Sequence, residues 1–170
     1  SVITPFPLGR FRLPSTSREG ISSFENGRVS FRFEAGNGER RLHARFAQFD
    51  GDDDLVFDAV LSDEPEDTMV IATPWAEDPL AFYYNQKAMR ARGSFKKGLL
   101  VHGFAPDDSF GLLDWGRGVW TRDNTWFWGV AQGWQDGQGG ARPGSHCFGL
   151  NLGYGFGDTS AASENMAFVD

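Results

Sequence analysis

The sequence predicts an all-β antiparallel fold, a sandwich or a barrel, on three observations. About ten short segments alternate apolar and polar residues with the two-residue period of a half-buried strand. Clusters of Gly, Asn, Asp and Pro separate these segments, as turns do in antiparallel sheets. Almost no stretch has the period of an α-helix. The composition is sufficient for a core, because the chain has 170 residues and 15% of them are aromatic.

The first strands follow an irregular lead-in that we place at residues 1–27. Residues 28–35 alternate cleanly, which predicts a half-buried strand. The turn Gly36-Asn37-Gly38 then returns the chain as a hairpin. The return strand and those after it are expected at residues 40–49, 55–61, 68–73, 80–89, 93–97 and 99–104.

The one helix signal lies at residues 107–113. Asp107 and Ser109 are residue types that cap a helix N-terminus, and an apolar segment follows them, so we expect one or two helical turns. Alternation resumes after this segment. The later strands are expected at residues 125–132, 147–156 and 164–169.

The predicted strand at residues 147–156 has two unlike faces, one of large apolar residues and one lined by glycine. A glycine-lined face is either crossed closely by another element or left open to a ligand. Both alternatives stand at this point. The large residues are Phe148, Leu150, Leu152, Tyr154 and Phe156, and the opposite face carries Gly149, Asn151, Gly153 and Gly155.

Charge and cysteine content narrow the class of protein. The net charge of −7 disfavours binding to nucleic acid or to an anionic membrane surface, which needs clustered Lys and Arg. Cys147 is the single cysteine, so no internal disulfide forms, and a reducing compartment, the cytoplasm, is expected. No apolar run approaches the ~18 residues of a membrane-spanning helix.

The two ends of the sequence resemble cut points. The first residues have neither the basic start nor the apolar middle of a signal peptide, and Ser1 is not a start methionine. The chain stops at Asp170, directly after the apolar run MAFV. We therefore expect a segment of a longer polypeptide, with flanking segments missing.

Residues 110–134 hold five of the six Trp, set beside charged residues and glycine. Two interpretations of Asp114 and Arg117 follow. They form an ion pair that fixes a loop, or Asp114 is an acid whose pKa the surrounding indoles raise, with Arg117 as its orienter. In the second interpretation the Trp faces stabilise a cationic intermediate.

Two further polar groups are candidates for ligand contacts. Tyr83, Asn85 and Lys87 alternate on one strand face, which is either a polar patch in an apolar cavity or a solvent face. Glu164 adjoins the last strand and is either a carboxylate at a cavity mouth or part of a turn-capping pair with Asn165.

The sequence predicts neither a metal nor a cofactor. His43, His102 and His146 are far apart and lack metal-ligand spacing. No phosphate-binding glycine pattern opens a helix. A nucleophilic role for Cys147 needs a His–acid partner that the pattern does not supply, so a buried structural thiol is favoured.

Five ordered motifs resemble a known family. They are FYYNQK (82–87), LDWGRGVW (113–120), WFWG (126–129), LNLGYGF (150–156) and SENMAFVD (163–170). The chain is similar in these motifs to domain-of-unknown-function family 2804.

The resemblance implies a lipocalin-like, calycin-type antiparallel barrel architecture, because the family is distantly similar to carotenoid 1,2-hydratase and tocopherol cyclase proteins. Parts of two adjacent barrels are then expected. Residues 28–105 would form a first, incomplete β unit, and residues 106–170 a second unit truncated at its C-terminal end.

Those distant relatives protonate an isoprenoid double bond and capture the cation. The resemblance therefore implies binding of an apolar or isoprenoid-like small molecule or lipid, with acid-catalysed hydration or cyclisation by Asp114 and Arg117 as an extension. The alternative is a non-catalytic carbohydrate- or small-ligand-binding β module, and a third is a Trp core without a ligand. The expected ligand contacts are Tyr83, Asn85, Lys87, Trp115, Trp120, Trp126, Trp128, Asn151 and Glu164.

Overall fold

The computed structural model describes residues 13–62, 68–73, 81–118, 123–135, 145–161 and 163–169. These ranges contain eleven strands and no helix, and hence no helix with the length and apolar character needed to cross a membrane. The strands are β1 (Gly20–Glu25), β2 (Val29–Gly36), β3 (Glu39–Asp50), β4 (Asp53–Ser62), β5 (Thr68–Thr73), β6 (Ala81–Lys97), β7 (Leu100–Phe104), β8 (Phe110–Gly118), β9 (Phe127–Trp134), β10 (Cys147–Tyr154) and β11 (Met166–Val169).

The prediction of an all-β antiparallel protein is confirmed. The strand registers are antiparallel in both sheets. No pairing among the described strands closes a sheet into a barrel, so the lipocalin-like architecture stays a prediction.

The chain separates into two compact units. The first comprises Ser1–Glu64 and Arg90–Ser109, and the second comprises Pro65–Met89 and Phe110–Asp170. Strand β6 therefore contributes its first part to the second unit and its last part to the first. The division between residues 105 and 106, which the family resemblance implies, stays a prediction.

The first unit is a sheet in the order β1-β2-β3-β4-β6-β7. The predicted hairpin turn is present between β2 and β3, where Asn37 and Gly38 both have positive φ, at 55° and 73°. Positive φ at both central residues gives the turn a twist that matches the flanking strands. This turn sets the register in which Arg32 lies opposite His43 and Phe33 opposite Leu42.

Alternation gives this sheet one apolar and one charged face. Ion pairs cross the charged face, where Arg92 contacts Glu39 at 2.6 Å and Arg45 contacts Asp54 at 2.6 Å. The backbone N–H of Gln48 and the Arg45 guanidinium hold the pKa of Asp54 below its ordinary value. Apolar residues line the other face, including Phe31, Phe33, Leu42, Ala44, Phe46, Phe57 and Phe95.

The second unit combines β5, the first part of β6 and β8 with a three-stranded sheet in the order β11-β10-β9. Its core contains Ala88, Trp134 and Cys147, with Phe110 and Phe168 packed against them. Cys147 is thus buried, as predicted.

Ala88 marks an irregular point of β6 within this core. Its φ of 57° lies in the left-handed region, which is uncommon for a residue with a Cβ. Its backbone N–H donates to Oε1 of Gln132 on β9 at 2.7 Å. The side chain of Gln132 therefore supplies the acceptor that this irregular N–H needs inside the protein.

Two predictions about local structure were wrong. The helix expected at residues 107–113 is absent: residues 106–108 form a turn, and Phe110 begins strand β8. The capping residue types occur equally in turns, and the glycines at 111, 116 and 118 disfavour a helix.

The second error lies in the lead-in, where Gly20–Glu25 form an edge strand on β2 rather than irregular chain.

The backbone of β4 passes directly beside Gly93 on β6. A Cβ on Gly93 would meet the carbonyl oxygen of Asp58 at 2.0 Å and Cα of Ala59 at 2.9 Å. Gly36 has nearly the same φ, 153° against 154°, but a Cβ there would meet no other atom within 4 Å.

We expect Gly93→Ala to lower the free energy of unfolding by at least about 2 kcal/mol more than Gly36→Ala. Both variants share the strain of the backbone angle, so the difference reports the contact with β4. Urea unfolding followed by circular dichroism measures it. Equal losses in the two variants would contradict the close packing of β6 on β4.

Candidate functional site

The register of β9 and β10 sets large residues of one strand opposite small residues of the other. Phe148 lies opposite Gly133, Leu150 opposite Ala131 and Leu152 opposite Gly129. Because directly opposite residues share a sheet face, the large residues of β10 and the small residues of β9 form one face together. On the other face the sizes reverse, with Trp128 opposite Gly153, Gln132 opposite Gly149 and Trp134 opposite Cys147.

The glycine-lined face of β10 is the packed face. Gly149 and Gly153 are both buried. A Cβ at Gly153 would collide with the Glu164 side chain, so Glu164 lies directly over this glycine. Of the two alternatives for the glycine face, the structure shows close crossing by another segment.

A buried amide connects the strands on this face. Asn151 is 1% exposed. Its Oδ1 accepts a hydrogen bond from Nε1 of Trp128 at 2.8 Å, and its Nδ2 donates to the backbone oxygen of Glu164 at 2.7 Å. One side chain thereby ties β10 to β9 and to the segment before β11, with both ends of the amide satisfied.

The connection from β10 to β11 is held by further polar contacts. The backbone N–H of Gly153 donates to Oδ1 of Asn165 at 2.9 Å. The hydroxyl and the backbone N–H of Ser160 donate to Oδ1 of Asp158 at 2.6 and 3.0 Å, and they hold the pKa of Asp158 below its ordinary value. These bonds fix the loop that delivers Glu164 onto Gly153.

The opposite face of the three-stranded sheet is apolar and open. Phe127 and Tyr154, which lie opposite each other, expose 73% and 68% of their surfaces. We call this surface the open face. It consists of Phe127, Gly129, Ala131 and Gly133 on β9, Phe148, Leu150, Leu152 and Tyr154 on β10, and Ala167 and Val169 on β11.

Strand spacings make the open face roughly 20 Å long and 10 Å wide. Most of its side chains are exposed, and Phe148 and Leu150 are half-buried. Gly129 lies on this face of β9 between Phe127 and Ala131. A Cβ at Gly129 would meet no other atom within 4 Å. The face therefore has free space beside Leu152.

The structure brings three predicted site residues together. Trp128, Asn151 and Glu164 meet on the packed face, where the amide of Asn151 connects them. Trp126 lies just before β9 and is exposed. Its ring packs edge-to-face against Phe156, with the two ring centroids 5.6 Å apart.

The other predicted residues are described less completely. Asp114 is exposed and Trp115 is half-buried on β8. Arg117 belongs to β8 by its backbone, and Tyr83, Asn85 and Lys87 belong to β6, but their side chains lie outside the described part of the structure. Trp120 falls in residues 119–122, also outside it. The choice between an Asp114–Arg117 pair and an acid in a cavity stays open.

In the described ranges, no three His, Cys, Asp or Glu side chains lie close enough together to hold a metal ion. The absence of a metal stays a prediction.

Comparison with known proteins identifies the family. A model of the family described as Domain of unknown function (DUF2804) matches residues 1–170. The chain belongs to this family. No curated protein and no solved structure matches it.

None of the ligand contacts predicted from the sequence lies on the open face. The alternation of Phe148, Leu150, Leu152 and Tyr154 is present in the sequence, but the predicted contacts Trp128 and Asn151 lie on the opposite face. The pairing of large with small residues across β9 and β10 is the signal that assigns these residues to one face.

We expect Trp128→Phe to lower the free energy of unfolding by about 1–3 kcal/mol, since Oδ1 of the buried Asn151 loses its donor. Trp126→Phe is the matched control, because Trp126 contributes an edge contact with Phe156 that a phenyl ring can keep. Urea unfolding followed by circular dichroism measures both. A smaller loss for Trp128→Phe than for Trp126→Phe would contradict the role of the indole N–H.

Proposed function

We propose that the second unit binds an apolar or isoprenoid-like small molecule on the open face of β9, β10 and β11. The observation that carries this proposal is the exposure of large apolar side chains on one continuous sheet face. Contiguous exposed apolar surface is uncommon on soluble proteins and marks sites of interaction. A flat or extended apolar molecule matches its length and width.

The burial energy supports moderate affinity. If the ligand covers roughly 200 Å² of the face and buries a similar area of its own, the contribution is about 10 kcal/mol. Loss of translational and rotational freedom costs at least about 4 kcal/mol. The remainder corresponds to a Kd of roughly 10–100 µM, and polar contacts at the rim would tighten it.

Acid catalysis is not part of this proposal. A carboxylic acid that protonates a double bond needs surroundings poor in water, which raise its pKa. Asp114 is exposed on β8. Binding alone is therefore the function that the geometry supports best.

Carbohydrate binding is the second candidate, and a specific observation favours it. Trp126 and Trp128 are both exposed, and indole rings stack on sugar rings. In the described part of the chain, Nδ2 of Asn124 is a buried donor without a hydrogen-bond partner, close in sequence to Trp126. A polar ligand or a bound water would satisfy it.

Fluorescence titration separates the two candidates. Anilinonaphthalene sulfonate serves as the reporter of apolar surface, and geranylgeraniol and maltohexaose serve as competitors. We expect geranylgeraniol to displace the reporter from the wild-type protein and maltohexaose to leave it bound. Leu152→Asp should weaken geranylgeraniol binding at least about tenfold, because a carboxylate on the open face must be desolvated.

Val70→Asp is the matched control. Val70 on β5 belongs to the same unit and exposes 57% of its surface, against 50% for Leu152. It should keep wild-type affinity. Equal weakening by both substitutions, or no displacement by geranylgeraniol, would overturn the proposal. A change in tryptophan fluorescence on addition of maltohexaose, with the reporter still bound, would favour the second candidate, because Trp128 lies on the face opposite the open face.

A further inference from the structure

The hairpin between β6 and β7 in the first unit carries three consecutive exposed aliphatic residues. Leu99 is fully exposed, and Leu100 and Val101 expose 59% and 62% of their surfaces. We call these three residues the aliphatic tip. Leu99 lies in the loop, and Leu100 and Val101 begin strand β7. Exposed aliphatic side chains gain little from the packing of the sheet, and hairpin loops are ordinarily built from polar residues and glycine.

The tip is held by a tight turn. Lys97 pairs with Leu100, so the loop has only two residues, Gly98 and Leu99. Gly98 has a φ of 55° at the first loop position, where type II′ hairpins place glycine. A Cβ on Gly98 would collide with the Asp53 carboxylate at 2.5–2.6 Å, so the neighbouring β3–β4 hairpin packs against the turn. Leu99 therefore projects from a supported position.

Charged groups surround the base of the tip. Lys96 is exposed opposite Val101, and Nζ of Lys97 contacts Oδ2 of Asp50 at 2.5 Å. The β3–β4 turn adds acidic residues, so the two hairpin segments at residues 45–54 and 96–101 together carry four carboxylates against three cations. The carboxylates are Asp50, Asp52, Asp53 and Asp54, and the cations are Arg45, Lys96 and Lys97.

We propose that the aliphatic tip inserts into the interface of a phospholipid bilayer that carries no net negative charge. A convex tip of three side chains offers far less than the ~800 Å² per partner of a stable protein interface. A fluid bilayer needs no complementary pocket, and it receives aliphatic side chains while lysine stems extend to the headgroups. The excess of carboxylates at the base disfavours an anionic lipid surface.

Co-sedimentation of the full chain with vesicles tests this. With phosphatidylcholine vesicles we expect wild-type protein in the pellet and at least about tenfold weaker partitioning for Leu99→Glu, because a charge at the tip must be desolvated. Ile21→Glu is the matched control, since Ile21 is an exposed aliphatic residue of the same unit on edge strand β1, and it should partition as wild type. Vesicles that also contain phosphatidylserine should bind less protein at low salt.

Three results would overturn the proposal: no binding of wild type to phosphatidylcholine, equal binding of wild type and Leu99→Glu, or stronger binding to phosphatidylserine. Sedimentation velocity without lipid tests the alternative that the tip contacts a second copy of the chain. A dimer that Leu99→Glu dissociates would assign the tip to contact with a second copy. The tip lies in the first unit and the open face in the second, so the two proposals fail separately.

Discussion

The size complementarity between β9 and β10 is the constraint on which the second unit depends. The register places five large residues of the two strands opposite glycine or alanine: Trp128, Gln132, Phe148, Leu150 and Leu152. Val130 lies opposite Asn151, and Phe127 lies opposite Tyr154. A shift by one residue would turn every side chain of one strand to the opposite face. The observed register keeps Trp134 and Cys147 in the core and leaves Leu152 exposed.

Asn151 reinforces this register. Its amide uses one end for the Trp128 indole and the other for the backbone of Glu164, so a slip of either strand would leave a buried polar group unpaired. The same contacts explain why three residues that looked like ligand contacts lie together. The Trp128 indole and the backbone oxygen of Glu164 both bond the Asn151 amide, so the contacts of the packed face hold β9, β10 and the segment before β11 together.

Sequence patterns predicted the strands well where alternation was strong. The segment at residues 68–73 coincides with β5, and the Asn37-Gly38 turn connects β2 and β3 as expected. The patterns predicted the strands less accurately where contacts between distant segments determine the local structure. Strand β8 has glycines and cap-like neighbours that obscure its period, but pairing with β6 stabilises it as a strand. Strand β6 continues through Ala88 and Gly93, where an irregular backbone and a close neighbour interrupt the apparent pattern.

The faces of the candidate site could be predicted only in part. Alternation reveals that a strand has two faces, but it does not say which face is covered, because coverage depends on residues distant in sequence. Glycine on β10 indicated close approach or an open site, and Glu164 provided the close approach. The most direct test of the open face is photo-crosslinking with a diazirine-bearing geranylgeraniol followed by peptide mass spectrometry. The account predicts labels at residues 127–131 and 148–154, and labelling confined to the first unit would contradict it.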